Sequence, residues 1–461
     1  MASPTTLLTS CNVDKLTIDI LPDDALLTIF LLYNDVSSSD LSWWQPLVHV
    51  CRRWRRVILA SPVHLNLTLV CTFKTPARES LDIWPPIPIA LHSTPYGHDE
   101  NIFAAMERPD RITDIRFEKM MFRSFEQLTG MMESPFPALT YLSLGGNEFP
   151  NFYRDHNFVL RDGFLGGSAP SLRTFILCNS QFPTLPRLLL SATQPVTLRL
   201  SWVTTLSVIP LWEIVTCLAA LPKLKQLDIT HLYKFSDSDQ SPLPTRVVLP
   251  SLTSFYFYGI GGPLEDFVAR IDAPMLQTLS LKLGEVGRIP QLLRFIGRAE
   301  KLKPPIQAAF VFGQRGPLLK FMPSHGFEFS TRNHDPFDLL APIVLLCLAL
   351  SPLLSHVERL DFHCDQRSPS SQGLVDPEHW LEIFRPFTAV QSLRVPKKVW
   401  SRVAPAMQAL AKEGATEVFP ELRTLFLEEP FEDDKKAIES LISARRLTVQ
   451  PYTDPYPDAG C

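Results

Sequence analysis

A short apolar phrase, L-x-x-L-x-L, recurs through most of the chain and constrains its fold more than any other feature. Isoleucine, valine or phenylalanine can replace the leucines, and neighbouring clear copies begin 24 to 33 residues apart. Recurrence of one phrase at intervals of this length indicates a repeat architecture. The clear copies are Ile112/Ile115/Phe117, Leu139/Leu142/Leu144, Leu172/Phe175/Leu177, Leu198/Leu200, Leu224/Leu227/Ile229, Leu252/Phe255/Phe257, Leu276/Leu279/Leu281, Val357/Leu360/Phe362, Val390/Leu393/Val395 and Leu422/Leu425/Leu427.

Each copy predicts a strand, and the segments between copies predict helices. Within L-x-L the apolar residues alternate, so Leu142 and Leu144 should point inward while Ser143 points outward. Apolar residues then follow helical spacing, and a proline stands just before many of the copies, where it ends the helix. The helical segments are 211–221, 264–271, 291–299 and 435–443, and the prolines are Pro137, Pro170, Pro222, Pro250, Pro274 and Pro420.

A strand–helix unit of this size cannot bury its own apolar face, so neighbouring units must stack. The sequence therefore predicts an α/β fold with parallel strands on a concave side and helices outside, resembling degenerate leucine-rich repeats. The alternative is an ordinary α/β domain whose strands happen to carry leucines, although only 19 glycines are present for its turns. Copies between 301 and 337 are faint, and Ile306/Ala309/Val311 is the best of them.

The N-terminal stretch 16–62 does not follow the repeat. A Leu21-Pro22 step and two aspartates favour a helix start, since proline suits the first turn and negative charge suits the helix dipole. A second apolar set, Leu47, Val50, Cys51, Trp54 and Ile58, recurs at the spacing of one helical face. Short helices cannot bury so many large side chains among themselves, so the surplus must meet a partner or the rest of the chain.

The order Leu21-Pro22-Asp23-Asp24, Ile29-Phe30 and then 47–55, with its Cys-basic-x-Trp-basic ending, resembles an F-box. That resemblance implies docking on a Skp-family adaptor and, through it, a cullin. The positions that it assigns to adaptor binding or to the local core are Leu21, Pro22, Ile29, Leu47, Val50, Cys51 and Trp54. The predicted organisation is a tail (1–15), the F-box-like domain (16–62), a connector (63–110), the repeats (111–450) and a second tail (451–461).

The resemblance implies a substrate-recruiting subunit of a ubiquitin ligase, which would hold a protein target on the repeat surface and perform no chemistry itself. Exposed aromatic residues and arginine often dominate binding energy, so Tyr256 and Tyr258 lead the candidates. The further outward positions are Asp228, Lys282, Arg359, Asp361, His363, Arg394 and Glu428. The alternative is a non-catalytic scaffold whose F-box-like helices only cap the open end of the solenoid.

Other functions receive little support from the sequence. A net charge of −4 and a pI near 6.3 argue against nucleic-acid binding, even with arginines at 52–56. The apolar run 339–350 is shorter than the roughly 20 residues of a membrane span, which predicts a buried helix. No secretory signal is recognisable, so a cytoplasmic or nuclear protein is expected.

Sites for catalysis, cofactors or metals are not predicted. Familiar phosphate-binding, zinc-protease and esterase motifs are absent. His49 with Cys51, and His363 with Cys364, lack a second pair of ligands nearby, and the eight cysteines include no C-x-x-C pair, which suits reduced thiols. The glycine cluster 259–262 predicts a turn, and the acidic stretch 428–434 predicts a helix start.

Overall fold

The structure is a computed structural model, and its contacts divide the chain into two compact units, Met1–Arg116 and Phe117–Cys461. The residues that it describes are 18–36, 43–72, 74, 77–83, 86–93, 100–120, 122–146, 159–201, 209–232, 246–284, 288–313, 316–321, 327–331, 341–364, 377–397, 399–400, 403, 418–427 and 432–451.

The first unit begins with helices and continues with alternating strands and helices. A 3₁₀ turn at Ile18–Ile20 precedes the first helix, and strand β1 pairs in parallel with β2. The predicted connector 63–110 therefore contains regular structure. The elements in order are α1 (Asp23–Val36), α2 (Gln45–Val48), α3 (Arg52–Ala60), β1 (Leu69–Cys71), α4 (Ala77–Ile83), β2 (Ile89–Ser93), α5 (Glu100–Met106) and β3 (Ile112–Met120), whose last residues belong to the second unit.

The second unit alternates strands and helices through most of its length. Its helices are α6 (Phe122–Met131), α7 (Leu185–Ser191), α8 (Leu211–Ala219), α9 (Gly261–Val268), α10 (Pro290–Arg298), α11 (Ala341–Ala349), α12 (Ser351–Leu354), α13 (Pro377–Phe384) and α14 (Glu432–Arg445). Its strands are β4 (Tyr141–Gly146), β5 (Thr174–Cys178), β6 (Thr197–Ser201), β7 (Gln226–Leu232), β8 (Val247–Val248), β9 (Ser254–Gly259), β10 (Ile271–Asp272), β11 (Thr278–Leu283), β12 (Gln307–Gly313), β13 (Gly316–Phe321), β14 (Phe327–Thr331), β15 (Arg359–Cys364), β16 (Ser392–Val395), β17 (Thr424–Leu427) and β18 (Thr448–Pro451).

One long, mostly parallel sheet organises this unit, in the order β4-β5-β6-β7-β9-β11-β14-β13-β12-β15-β16-β17-β18. The short strands β8 and β10 pair separately. The predicted α/β class is therefore confirmed. The leucines at 142, 227, 279 and 425, which the repeat predicts to be equivalent, all lie on this sheet and are buried.

The register of the sheet follows the repeat. Equivalent apolar residues of neighbouring strands face each other, so one buried row crosses the sheet. Its members are Leu142, Phe175, Leu198, Leu227, Phe255 and Leu279. Because a shift of one residue would turn every side chain to the other face, burial of this row fixes the pairing.

The prolines act through the turns that precede the strands. In the copy at Leu139, the amide of that leucine donates to the carbonyl of Phe136 at 3.2 Å, with Pro137 at the second turn position. Proline suits that position because its φ is already fixed near the value required. An equivalent hydrogen bond closes the turn at the start of each of five further copies, those at Leu172, Leu224, Leu252, Leu276 and Leu422.

The faint copy Ile306/Ala309/Val311, for which the sequence did not fix a register, lies one residue away from the pairing in the sheet. Strand β12 pairs with β15 so that Ala308 faces Leu360 and Phe310 faces Phe362, whereas Ala309 faces Asp361. The segment QAAFVFG is apolar at nearly every position, so it carries no alternation from which to choose a register. The chain then turns back, because β13 pairs antiparallel with both β12 and β14.

Most of the helix predictions are confirmed. Helices α8, α9, α10 and α14 occupy the predicted segments, and α14 begins with three acidic residues of the predicted helix start. The glycine cluster is not a separate turn, because β9 ends at Gly259 and α9 begins at Gly261. Helix α11 forms in the apolar run but is not wholly buried as predicted, because Leu345 and Leu348 are exposed. No helix among the described residues has the length and apolar character needed to cross a bilayer.

Candidate functional site

Helix α1 keeps an apolar face that the described part of its own unit buries only in part, with the centroid of the Tyr33 ring 6.3 Å from that of the Trp43 ring. Leu26 and Phe30 are buried, whereas Ile29, Leu32 and Tyr33 are 41, 61 and 46 % exposed. These three residues are spaced i, i+3 and i+4, so they lie on one side of the helix. We call them the α1 apolar face. Outward-facing apolar residues in this arrangement are typical of a helix that packs against another molecule.

Contacts with α3 hold α1 in place. The Phe30 and Trp54 rings meet edge to face with centroids 5.0 Å apart. The guanidinium of Arg53 donates to Asp23 Oδ1 from Nε at 2.9 Å and from Nη2 at 2.7 Å. It also donates to the carbonyl of Leu21. The aspartate after the Leu-Pro step thus anchors the start of α1 to the arginine-rich helix.

The predicted single helical face through residues 47–58 is wrong. Helix α2 ends at Val48, and Cys51 has an extended backbone (φ −156°, ψ 168°) before α3 begins at Arg52. The Cys51 thiol accepts a hydrogen bond from the amide of Trp54 at 3.4 Å, so it caps α3. The break turns Val50 outward, where it is 58 % exposed, while Ile58 is buried.

The residues predicted for adaptor binding fall into two groups. Pro22, Ile29 and Val50 are exposed and could touch a partner. The half-buried group consists of Leu21, Leu47, Cys51 and Trp54, which support the helices. Leu32 and Tyr33 were missed as site residues, although their spacing from Ile29 was a readable signal.

The second surface is the polar face of the sheet in the second unit, opposite the buried row. Several of its charged side chains pair with a polar or charged side chain on a neighbouring strand. Arg199 Nε donates to Asp228 Oδ2 at 2.7 Å, and Asp228 is buried although it was expected to point outward. Farther along, Ser280 Oγ donates to Glu328 Oε2 at 2.9 Å. Cross-strand pairs of this kind stabilise sheets, so Asp228 has a structural partner already.

The predicted tyrosines lie on this face, on strand β9. Tyr256 and Tyr258 alternate along β9 with buried phenylalanines and are half-exposed. Lys282 on β11 places its Nζ 5.5 Å from the Tyr256 ring centroid, within the range of a cation–π contact. The structure thus brings Tyr256, Tyr258 and Lys282 together on adjacent strands, as the repeat register predicts.

Arg359 and Arg394 lie on a different part of the sheet. Arg359 is exposed, whereas the guanidinium of Arg394 stacks 4.7 Å above the Phe426 ring. Arg394 Nε is 3.9 Å from Asp361, which was expected to be outward but is wholly buried.

Gln307 and Arg394 stabilise the buried carboxylate of Asp361. The amide of Gln307 donates to Asp361 Oδ2 at 2.6 Å. Burial raises the pKa of the Asp361 carboxyl, and the Gln307 bond and the Arg394 charge oppose this shift. Of the other outward candidates, His363 is half-buried, and Glu428 lies outside the described residues.

The described residues include no group of three histidine, cysteine, aspartate or glutamate side chains placed to hold a metal ion. Burial raises the pKa of the Cys71 thiol to about 11 and that of Cys217 to about 12. Thiols with such a high pKa are poor nucleophiles near neutral pH.

No known protein family matches the chain, and no curated protein sequence matches it.

Proposed function

We propose that this protein is a non-catalytic, substrate-recruiting F-box subunit of a Skp–cullin–F-box-type ubiquitin ligase. Helices α1 to α3 would bind the Skp-family adaptor, and the polar sheet face would bind a protein target. The strand–helix units of the second unit would be degenerate leucine-rich repeats that form a solenoid. A protein with this role would work in the cytoplasm or the nucleus.

The α1 apolar face carries the proposal. Ile29, Leu32 and Tyr33 are each about half exposed, so a partner that covers them gains half of the roughly 1.5–3 kcal/mol that full burial of a large apolar side chain contributes. The face lies directly after the Leu21-Pro22-Asp23-Asp24 segment, whose resemblance to an F-box implies an adaptor at this position. Anchoring by Arg53 and Trp54 keeps the helix ordered before binding, which reduces the entropy lost on association.

The test uses the purified full-length chain and a recombinant Skp-family adaptor, with the dissociation constant measured by calorimetry. The double variant Ile29→Glu/Leu32→Glu places two charges on the α1 apolar face. Because both residues are already exposed, folding should be retained, and circular dichroism verifies it. We expect adaptor binding to weaken about 30-fold or more, the size of a hot-spot loss.

Helix α11 offers a matched control. Leu345 and Leu348 have the same i, i+3 spacing and are 63 and 51 % exposed. Leu345→Glu/Leu348→Glu introduces the same charge in the second unit and should leave adaptor binding unchanged. Failure of the unmodified chain to bind the adaptor would reject the ligase role and favour the scaffold alternative. Equal loss in both double variants would reject α1 as the docking face.

A further inference from the structure

Within the described residues, one group on the polar sheet face contains two lysines on nearby strands, neither of them in an ion pair with a carboxylate. Lys282 on β11 faces Ser330 on β14, and Ser330 faces Lys320 on β13. Tyr258 on β9 faces Lys282 from the other side. We call these four residues the lysine row. All four side chains are half-exposed, so a ligand can reach them.

The two lysines differ from Arg199 and Arg394 on the same face in their distance from carboxylates. Elsewhere on this face Arg199 pairs with Asp228, and Arg394 lies near the buried Asp361. Within the described part of the chain, neither Lys282 nor Lys320 has a carboxylate within ion-pair distance; Lys282 instead lies over the Tyr256 ring. Two ammonium groups and a hydroxyl on adjacent strands form a locally positive strip on a chain that is acidic overall.

The spacing fits an extended acidic segment. Neighbouring strands are about 4.8 Å apart, so the backbones that carry the two lysines lie roughly 10 Å apart across Ser330. Alternate side chains of an extended peptide are about 7 Å apart. Flexible lysine side chains cover that difference, so two carboxylates of one strand-like segment can each meet one ammonium group.

The neighbouring acid favours carboxylate over phosphate. Glu328 lies two residues before Ser330 on β14, and its carboxylate accepts from Ser280. Its negative charge opposes the concentrated charge of a phosphate dianion, whereas two separated carboxylates can each meet one of the ammonium groups, whose backbones lie roughly 10 Å apart. Lysine also provides a point charge and not the planar fork with which arginine holds phosphate.

We propose that the lysine row binds an acidic, extended, unphosphorylated segment of the protein target, with Tyr256 and Tyr258 packing against that segment. The inference rests on the proposed recruiting function, whose target it specifies. The lysines supply charge complementarity, and the tyrosines supply apolar contact area with a polar end.

The test measures fluorescence anisotropy of a labelled peptide of alternating glutamate and serine with the full-length chain at low salt. We expect Lys282→Gln/Lys320→Gln to weaken binding about tenfold, as two modest ion pairs would. The matched control is Lys301→Gln/Lys303→Gln, which removes the same charge from exposed lysines after α10. It should change binding less than about twofold.

Other probes complete the test. Replacing glutamate by glutamine in the peptide should abolish binding, and added salt should weaken it. Absence of binding, or equal loss in the two double variants, would overturn the proposal. Tighter, lysine-dependent binding of a phosphoserine peptide or of polyuridine RNA would overturn the choice of carboxylate. A chain that binds the glutamate peptide but not the adaptor keeps this site and loses the ligase role.

Discussion

Helices α1 and α8 are both rich in large apolar residues, but the fold uses them differently. In α8, which packs on α7 and β8, the buried residues are Leu211, Ile214, Val215, Cys217 and Leu218. In α1 only Leu26 and Phe30 are buried among the described side chains, and Ile29, Leu32 and Tyr33 remain in water. Apolar content alone therefore does not distinguish a buried helix from one that keeps an exposed apolar face; the difference lies in which face packs within the chain.

The largest expected difference between the two helices is in stability. Leu218→Ala removes a buried side chain from α8 and should cost about 2–5 kcal/mol, whereas Leu32→Ala on α1 should change the free energy of unfolding by less than about 0.5 kcal/mol. Urea unfolding followed by circular dichroism measures both. A comparable loss in the two variants would mean that α1 is part of the core.

A smaller effect is expected where a side chain joins two helices of the second unit. The Glu265 carboxylate on α9 accepts from the amides of Gln291 and Leu292 at 2.8 Å each, which caps α10. Glu265→Ala should cost about 1–2 kcal/mol, a typical loss for a helix cap. The exposed Glu300→Ala provides the control in the same urea titration. Equal urea midpoints for the two variants would contradict the role of Glu265 as a cap of α10.

The buried Asp361 on the polar sheet face should make the stability of the protein depend on pH. The folded-state pKa of Asp361 is raised by burial, so between the ordinary value and the raised value the native chain binds more protons than the unfolded chain. Stability from this group is therefore present at low pH and is lost as pH rises through that window. Asp361→Asn should flatten this part of the stability curve, while the exposed Asp162→Asn should not. Identical curves for wild type and Asp361→Asn would contradict the assignment.

The smallest effect is expected at the ion pair that anchors α1. The Arg53 and Asp23 side chains are 26 and 50 % exposed, so water and salt weaken their attraction. Arg53→Ala should cost about 0.2–1 kcal/mol, and less in high salt. Arg78→Ala, which breaks the more exposed pair with Glu107, should cost less still. A loss above about 2 kcal/mol for Arg53→Ala would exceed what the range for exposed pairs allows.

Much of the fold was predictable because two local signals agree in most repeats. The proline turn before Leu139 or Leu224 fixes where a strand starts, and the alternation after it fixes which side chains are buried. No register could be chosen from the sequence at β12, where Ala308, Ala309 and Phe310 are all buried and alternation disappears. Pairing with β15 decides the register there, and that pairing is not a local property.

The candidate site was predictable in part. The resemblance led to Ile29 and Val50, which are exposed, but the helical spacing wrongly joined Val50 to Ile58. The extended backbone of Cys51 separates them, and a cysteine cap has no strong sequence signal. On the sheet, Tyr256 and Lys282 could be aligned from the repeat, whereas Lys320 could not, since it lies on the antiparallel strand β13.

The antiparallel strand has a consequence for how such a chain can change length during evolution. Because β13 runs against both β12 and β14, the strands on either side of this group still run in one direction, β14 beside β11 and β12 beside β15. Adding or deleting two strands as a hairpin would preserve that direction, while adding one would reverse it. Homologous chains should therefore differ here by whole hairpins, while the flanking strands keep their common direction.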